Sequence, residues 1–146
     1  MGDFSINRSN RVRLSRYLKG KDVLLRGISA LKYMELFVED HFTFDAGKES
    51  IEVYATTELD HENYQAIRVR DFSEMDVNDD GEVLCCSMSQ VVNDLLEEGN
   101  PENLEILVEA LANYMEEMGH LDDIQVKNGH SIKFKEIKRR AVEFYG

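Results

Sequence analysis

The sequence predicts an α+β domain in which two N-terminal helices precede a central antiparallel sheet of about four strands, with three helices after the sheet. Three observations support this prediction. Apolar residues recur at helical spacing near both ends of the chain. Between positions 41 and 85 they instead alternate with polar residues. Because the runs of helix and strand are separated along the chain, we expect an antiparallel sheet.

Apolar stripes predict the first two helices. The first covers residues 9–18 and the second covers residues 30–37. In the second, Leu31 and Met34 lie three residues apart, a spacing that places both on one buried face. Between the helices, Val23-Leu24-Leu25 is interpreted as a short apolar link.

Three segments show the alternation typical of half-buried strands, and a fourth strand is predicted where Val83-Leu84-Cys85 follows a turn signal. Residues 59–64, in contrast, are polar and irregular. Asn78-Asp79-Asp80-Gly81 is a turn signal, because Asn, Asp and Gly adopt the backbone angles that tight turns need. The four predicted strands include residues 42–44, 51–55, 67–69 and 83–85.

Three helices with recognisable start signals are predicted after the sheet. Ser87 and Gln90 have the spacing of a capping box at the start of the first. Pro101 starts the second, since proline at the first helical position lacks only an N–H that would be unpaired there. Ser131 starts the third. The third helix is predicted to bury Phe134, Ile137, Ala141 and Phe144.

Charge is unevenly distributed along what we predict to be one domain, residues 1–146. The net charge is −12. Residues 27–126 hold four Lys and Arg against 25 Asp and Glu, a net of −21, whereas residues 1–26 carry +5 and residues 127–146 carry +4. An acidic body repels nucleic acid and bare anionic membranes. The basic ends either relieve the self-repulsion of this body or contact a partner.

The basic residues of the first and last helices are therefore the candidate partner-binding residues. We expect them to contact a protein partner, and the alternative is that they contact the phosphates of a nucleic acid. No oligomeric state follows from the sequence. The candidates are Arg11, Arg13, Arg16, Lys138, Arg139 and Arg140.

One segment, Asp76 to Val83, matches the first half of an EF-hand loop, with oxygen ligands at alternate positions and Gly81 sixth. The twelfth position, which should be a bidentate Glu, is Ser87. We therefore predict a hairpin turn here and no metal site or cofactor, and a calcium-responsive protein remains an alternative.

Catalytic patterns and export signals are not recognisable. No serine lies in a Gly-x-Ser-x-Gly context and no phosphate-binding glycine loop occurs, so we expect no enzymatic activity. No apolar run reaches the length of a transmembrane helix, and residues 1–10 lack the apolar stretch of a secretory signal. Cys85 and Cys86 are adjacent, which disfavours a mutual disulfide, so we expect a reducing cytoplasm.

Three segments resemble AbiEi-type antitoxins of abortive-infection toxin–antitoxin systems. They are LLRGISALKYMELF (24–37), IEVYATTELD (51–60) and GEVLCCSMSQVVNDLLEEGNPENLEILVEALANYMEE (81–117). Residues 24–117, which contain them, are about two-thirds of the chain. The resemblance implies a domain similar to the C-terminal domain of that family, which restrains a nucleotidyltransferase-like toxin. The DNA-binding winged helix of the family is expected to be missing, because only a few polar residues precede the first helix.

Overall fold

A computed structural model of the protein describes residues 14, 15, 18, 22–37, 50–59 and 63–145. These residues form an α+β fold, as predicted, with five strands and four α-helices. The strands are β1 (Val23–Leu25), β2 (Ile51–Ala55), β3 (Tyr64–Arg68), β4 (Val77–Asp79) and β5 (Leu84–Cys86). The helices are α1 (Gly27–Tyr33), α2 (Met88–Glu98), α3 (Pro101–Met118) and α4 (Ser131–Tyr145), with a 3-10 turn, Asn128–His130, before α4.

The sheet is mixed, so the prediction of an antiparallel sheet of about four strands between two and three helices is wrong in its details. The strand order is β3-β2-β1-β5-β4. The pairs β1–β2 and β4–β5 are antiparallel, and the pairs β1–β5 and β2–β3 are parallel. Strand β1 precedes α1, so helices and strands interleave at the start of the described chain.

The central strand β1 is the segment that the sequence pattern presents as an apolar link. Leu24 and Leu25 are fully buried and Val23 is nearly so. A strand that is buried on both faces shows a continuous apolar run instead of alternation. Its three residues therefore carry no periodic signal that separates strand from link.

Helix α1 begins and ends earlier than residues 30–37. Its start is stabilised from a distant part of the chain: the Glu52 carboxylate on β2 accepts a hydrogen bond from the Ile28 N–H at 3.1 Å. Its end precedes Glu35, whose φ of 63° is incompatible with a continuing right-handed helix. Neither the Glu52 cap nor the positive φ of Glu35 can be predicted from the residues next to the helix ends.

Other sequence expectations have mixed outcomes. The strand predicted at residues 67–69 is β3, which begins earlier, at Tyr64, and whose residues 65–68 are exposed, so no buried face imposes alternation. Of the predicted first helix, Leu14, Ser15 and Leu18 are described and have helical backbone, and both leucines are buried. The strand predicted at residues 42–44 lies outside the described residues.

One apolar core joins the sheet to the helices. Helices α1 and α2 contact the sheet, α3 contacts both of them, and α4 packs along α3.

The capping prediction for α2 is half confirmed. The Ser87 hydroxyl accepts the Gln90 N–H at 3.2 Å, as predicted, whereas the Gln90 side-chain amide bonds to Asp76 and Asp94. Among the described helices, none combines the length and the apolar character needed to cross a membrane.

Helix α4 presents a buried and an exposed apolar set. Phe134, Ile137 and Ala141 are buried, as predicted. Phe144 is 61% exposed, so its predicted burial is wrong. It lies three residues beyond Ala141, in the last turn of the helix, where it borders α3 but leaves most of its side chain in solvent.

Asn93 on α2 positions the segment that leads into α4. Its amide nitrogen donates to the carbonyl of Gln125 at 2.9 Å, and its oxygen accepts the Lys127 N–H at 2.9 Å. The same oxygen lies 3.0 Å from Nδ1 of the buried His130. Asn93 is itself buried. One side chain thus replaces the backbone partners that this irregular segment lacks.

We expect Asn93→Ala to lower the free energy of unfolding by about 1–3 kcal/mol, because buried backbone groups lose their partners. Urea denaturation measures this change, and hydrogen exchange should show faster exchange at the Lys127 amide. Asn113→Ala is the matched control, since Asn113 donates one bond, to the Leu36 carbonyl at 2.7 Å. Equal losses in the two variants would contradict the role given to Asn93.

Candidate partner-binding surface

The predicted basic residues divide into two groups. Arg11, Arg13 and Arg16 lie outside the described residues. Lys138, Arg139 and Arg140 lie on α4. Consecutive helical residues point about 100° apart, so these three do not form one patch.

Two of these α4 cations are engaged within the chain. The Arg140 guanidinium donates to both oxygens of Glu105 on α3, each at 2.7 Å. Arg139 bonds to Glu136 at 2.6 Å and to Glu143 at 2.5 Å on its own helix. The hydrogen bond from Arg139 holds the pKa of the Glu136 carboxyl below its ordinary value. Arg140 therefore joins two helices, and Arg139 presents a largely compensated charge.

Lysines supply the uncompensated charge of α4. Lys138 is exposed and its Nζ lies 5.7 Å from the centre of the Phe134 ring, a cation–π distance. Lys135 is also exposed, and neither lysine forms an ion pair with another described residue. The sequence prediction of partner-binding residues omitted Lys135, because it was based on contiguous basic residues. The signal that would have found it is helical spacing: Lys135, Lys138 and Val142 share one face.

These lysines border a groove between the end of α3, the loop after it and α4. The groove has a volume of about 630 Å³. We call it the α3–α4 groove. Its apolar residues are Met115, Leu121 and Val142. Its α4 wall carries Lys135, Lys138 and the Arg139–Glu143 ion pair, so the two lysines give this wall its net positive charge.

The opposite wall of the α3–α4 groove carries His120 and Asp122. The loop there is held in place, because the Tyr114 hydroxyl donates to Asp123 at 2.7 Å. Burial of the Tyr114 ring and this hydrogen bond raise the pKa of Tyr114 to about 12, so its hydroxyl keeps its proton. The groove thus combines an apolar floor, one basic wall and one weakly acidic wall.

A second groove lies on the other side of α4. Phe37, Ile106 and Phe144 line it, and the Arg140–Glu105 pair lies beside it. Residues 38–49, which follow Phe37 in the chain, are not described. This groove is therefore a weaker candidate than the α3–α4 groove, whose described lining comes from α3, α4 and residues 120–122.

The predicted hairpin turn is present between β4 and β5, but it begins after Asp79, because Val77–Asp79 of the acidic segment form strand β4. Asp80 Oδ1 accepts the N–H groups of Glu82 and Val83 at 2.9 and 3.0 Å, and Asp79 accepts the Gly81 N–H at 2.9 Å. These carboxylates thus serve as turn caps. In the part of the chain that is described, no group of three or more His, Cys, Asp or Glu is placed to hold a metal ion.

A buried ion cluster lies at the junction of β1 and α1. Arg26 is 4% exposed and pairs with Glu52, at 3.6 Å, and with Glu98. Its guanidinium lies 5.0 Å from the Tyr54 ring centre, and the Tyr54 hydroxyl donates to Asp94 at 2.7 Å. We call Arg26, Glu52, Tyr54, Asp94 and Glu98 the Arg26 cluster.

The pKa values in the Arg26 cluster show which charges burial disfavours. Burial raises the pKa of the Glu52 carboxyl, and the Arg26 charge opposes that rise. Burial alone would lower the pKa of Arg26, but Tyr54 and Glu98 raise it above its ordinary value, so Arg26 stays charged. The carboxylates of Glu52 and Glu98 compensate the Arg26 charge and tie β2 and α2 to the start of α1, whereas the buried Arg26 Nε has no hydrogen-bond partner among the described residues.

Comparison with family models, with curated proteins and with solved structures finds no match to the chain. The geometry of its own residues is therefore the basis for a functional proposal.

Proposed function

We propose that the chain is a non-enzymatic protein-interaction domain that binds its partner through the α3–α4 groove. The observation that carries this proposal is the apolar floor of the groove beside two exposed lysines without carboxylate partners among the described residues. Protein interfaces commonly have an apolar centre and a polar rim that selects the partner. The groove has both parts.

Exposed apolar side chains of α4 lie both in the groove and beyond it. Val142 is 46% exposed, and Ile132, at the start of the helix, is 86% exposed. Single exposed apolar residues are common on protein surfaces. Here, however, Val142 adjoins the basic wall, and its burial by a partner would contribute binding free energy in proportion to the apolar area covered.

The partner we propose is a nucleotidyltransferase-like toxin, and the setting is the cytoplasm. The sequence resemblance to AbiEi-type antitoxins supports the partner. Cys85 and Cys86 are buried and form no disulfide, which supports a reducing compartment. Burial raises the pKa of the Cys86 thiol, which keeps it protonated and unreactive.

The nucleic-acid alternative has less support. Arg139 and Arg140 are bonded to carboxylates, and residues 27–126 carry a net charge of −21. A phosphate backbone would have to displace Glu105, Glu136 or Glu143 to reach these guanidinium groups. A titration with RNA and DNA at two salt concentrations tests the alternative, which requires tight binding at low salt.

We expect the double substitution Lys135→Glu/Lys138→Glu to weaken capture of the toxin by about tenfold or more, because reversal replaces two attractive contacts with repulsive ones. A pull-down of the toxin, quantified over a concentration series, measures the change. Lys127→Glu/Lys133→Glu changes the net charge equally but lies outside the groove lining. This control should retain binding. Equal capture by all three proteins would contradict the proposed function.

A further inference from the structure

We infer that the segment bound in the α3–α4 groove is an acidic amphipathic helix of another protein. This inference rests on the proposed function and deepens it by naming the chemistry of the partner. The helix would place apolar side chains between Met115, Leu121 and Val142 and carboxylates beside Lys135 and Lys138.

The backbone of the groove walls favours a helical occupant. Most of the lining residues lie on α4, with Met115 on α3, and the backbone N–H and C=O groups of these helices are bonded within each helix. An extended peptide would therefore find few backbone partners in the groove and would leave its own groups unpaired. A helix satisfies its own backbone groups and needs only side-chain contacts.

The spacing of the wall also fits a helix. The stretch of α4 from Lys135 to Val142 covers about 10 Å, which is two helical turns. A partner helix presents apolar residues at every third or fourth position over the same distance. Two or three such side chains would contact the apolar floor of the groove.

The charges of the groove walls favour a partner helix whose carboxylates lie along one flank. Lys135 and Lys138 on the α4 wall have no carboxylate partner among the described residues, and Glu143 on the same wall is paired with Arg139, whereas the opposite wall carries Asp122. Carboxylates of the partner are thus attracted to one flank and repelled from the other. This asymmetry would fix the rotation of the bound helix about its axis.

A second copy of the chain is a poorer occupant. Each copy carries a net charge of −12, so association would bring two acidic bodies together. A short acidic helix that projects from another protein brings fewer negative charges to this acidic body than a second copy would, so its repulsion is smaller. Self-association is therefore an outcome that would count against the inference.

The test uses the full chain and a set of fluorescein-labelled helical peptides of about 14 residues, or four turns. One has leucine at every third or fourth position with glutamate along one flank, one has lysine in place of that glutamate, and one is a scramble of the first. Fluorescence anisotropy measures binding. We expect the acidic amphipathic peptide to bind about tenfold or more tightly than the other two.

Two groove variants sharpen the test. Val142→Glu places a charge on the apolar floor and should weaken binding of the acidic peptide by about tenfold or more. Lys135→Glu/Lys138→Glu should weaken binding of the acidic peptide and strengthen binding of the lysine peptide. Val142 is nearly half exposed, so its substitution leaves the core intact. Circular dichroism confirms that each variant is folded. Lys127→Glu/Lys133→Glu should bind the acidic peptide normally.

The outcomes separate this inference from the proposed function. If lysine reversal abolishes toxin capture and either Val142→Glu retains it or the acidic helical peptide does not bind, the function stands and the helical occupant is wrong. If sedimentation shows a dimer of the chain that Val142→Glu dissociates, the occupant is a second copy and the inference is overturned. If lysine reversal leaves toxin capture unchanged, the proposed function itself fails.

Discussion

Substitution of Arg26 by methionine is expected to lower the free energy of unfolding by about 3–5 kcal/mol, because it leaves the mostly buried Glu52 carboxylate without its cation. Arg26 is 4% exposed and has two carboxylate partners, Glu52 and Glu98. Methionine preserves most of the side-chain volume, so the lost charge accounts for most of the change. Urea denaturation at neutral pH measures it.

The pH dependence of this loss identifies its cause. Burial already raises the pKa of Glu52 above 4.5, and the Arg26 charge opposes the rise. Removal of Arg26 therefore raises this pKa further in the folded state. A carboxyl with a raised folded pKa contributes full stability below its unfolded pKa and loses it as the pH rises through the folded pKa. The deficit of Arg26→Met should therefore shrink as the pH falls towards 4.5.

Two controls test the ion cluster itself. Arg68→Met removes an exposed arginine of β3 and should change the stability by no more than about 0.5 kcal/mol. Arg26→Met/Glu52→Gln removes both charges and should recover part of the loss, because coupled residues are not additive. A double variant whose loss equals that of the two single variants combined would contradict the coupling.

The sequence predicted those elements whose signals are local. Helices α2 and α3 follow capping residues and a proline that act within one turn of the chain, and the β4–β5 turn follows from its own Asp and Gly residues. Strand β1 and the start of α1 depend on partners elsewhere. The backbone of β1 is paired with β2 and β5, and the cap of α1 comes from Glu52.

The candidate site was predictable as a helix but not as a surface. The basic character of α4 is evident in the sequence. Which of its basic side chains are compensated by carboxylates, however, depends on contacts between residues that are distant in the sequence. Arg140 is compensated by Glu105, which lies 35 positions earlier on α3. The Arg26 cluster was missed for the same reason, since Arg26, Glu52 and Glu98 come together only when β1, β2 and α2 pack.

Gly27→Ala is the second change for which we expect a large effect, a loss of about 2.5–5 kcal/mol of unfolding free energy. Gly27 has a φ of +56°, in the left-handed region that costs alanine about 1–2 kcal/mol. A Cβ there would also lie 2.8 Å from Glu52 Oε1, which is closer than van der Waals contact allows. The carboxylate would have to move, yet it pairs with Arg26 and caps Ile28.

Gly99→Ala separates the two causes. Gly99 ends α2 with a φ of +66°, but a Cβ there would meet nothing within 4 Å. Its substitution should therefore cost only the backbone component, about 1–2 kcal/mol. Adding Glu52→Ala should reduce the excess cost of Gly27→Ala, because the clashing carboxylate is then gone. Equal losses of stability for Gly27→Ala and Gly99→Ala in thermal or urea denaturation would mean that the Glu52 carboxylate moves away from the new Cβ without a loss of free energy. The Arg26 cluster would then not hold Glu52 in place.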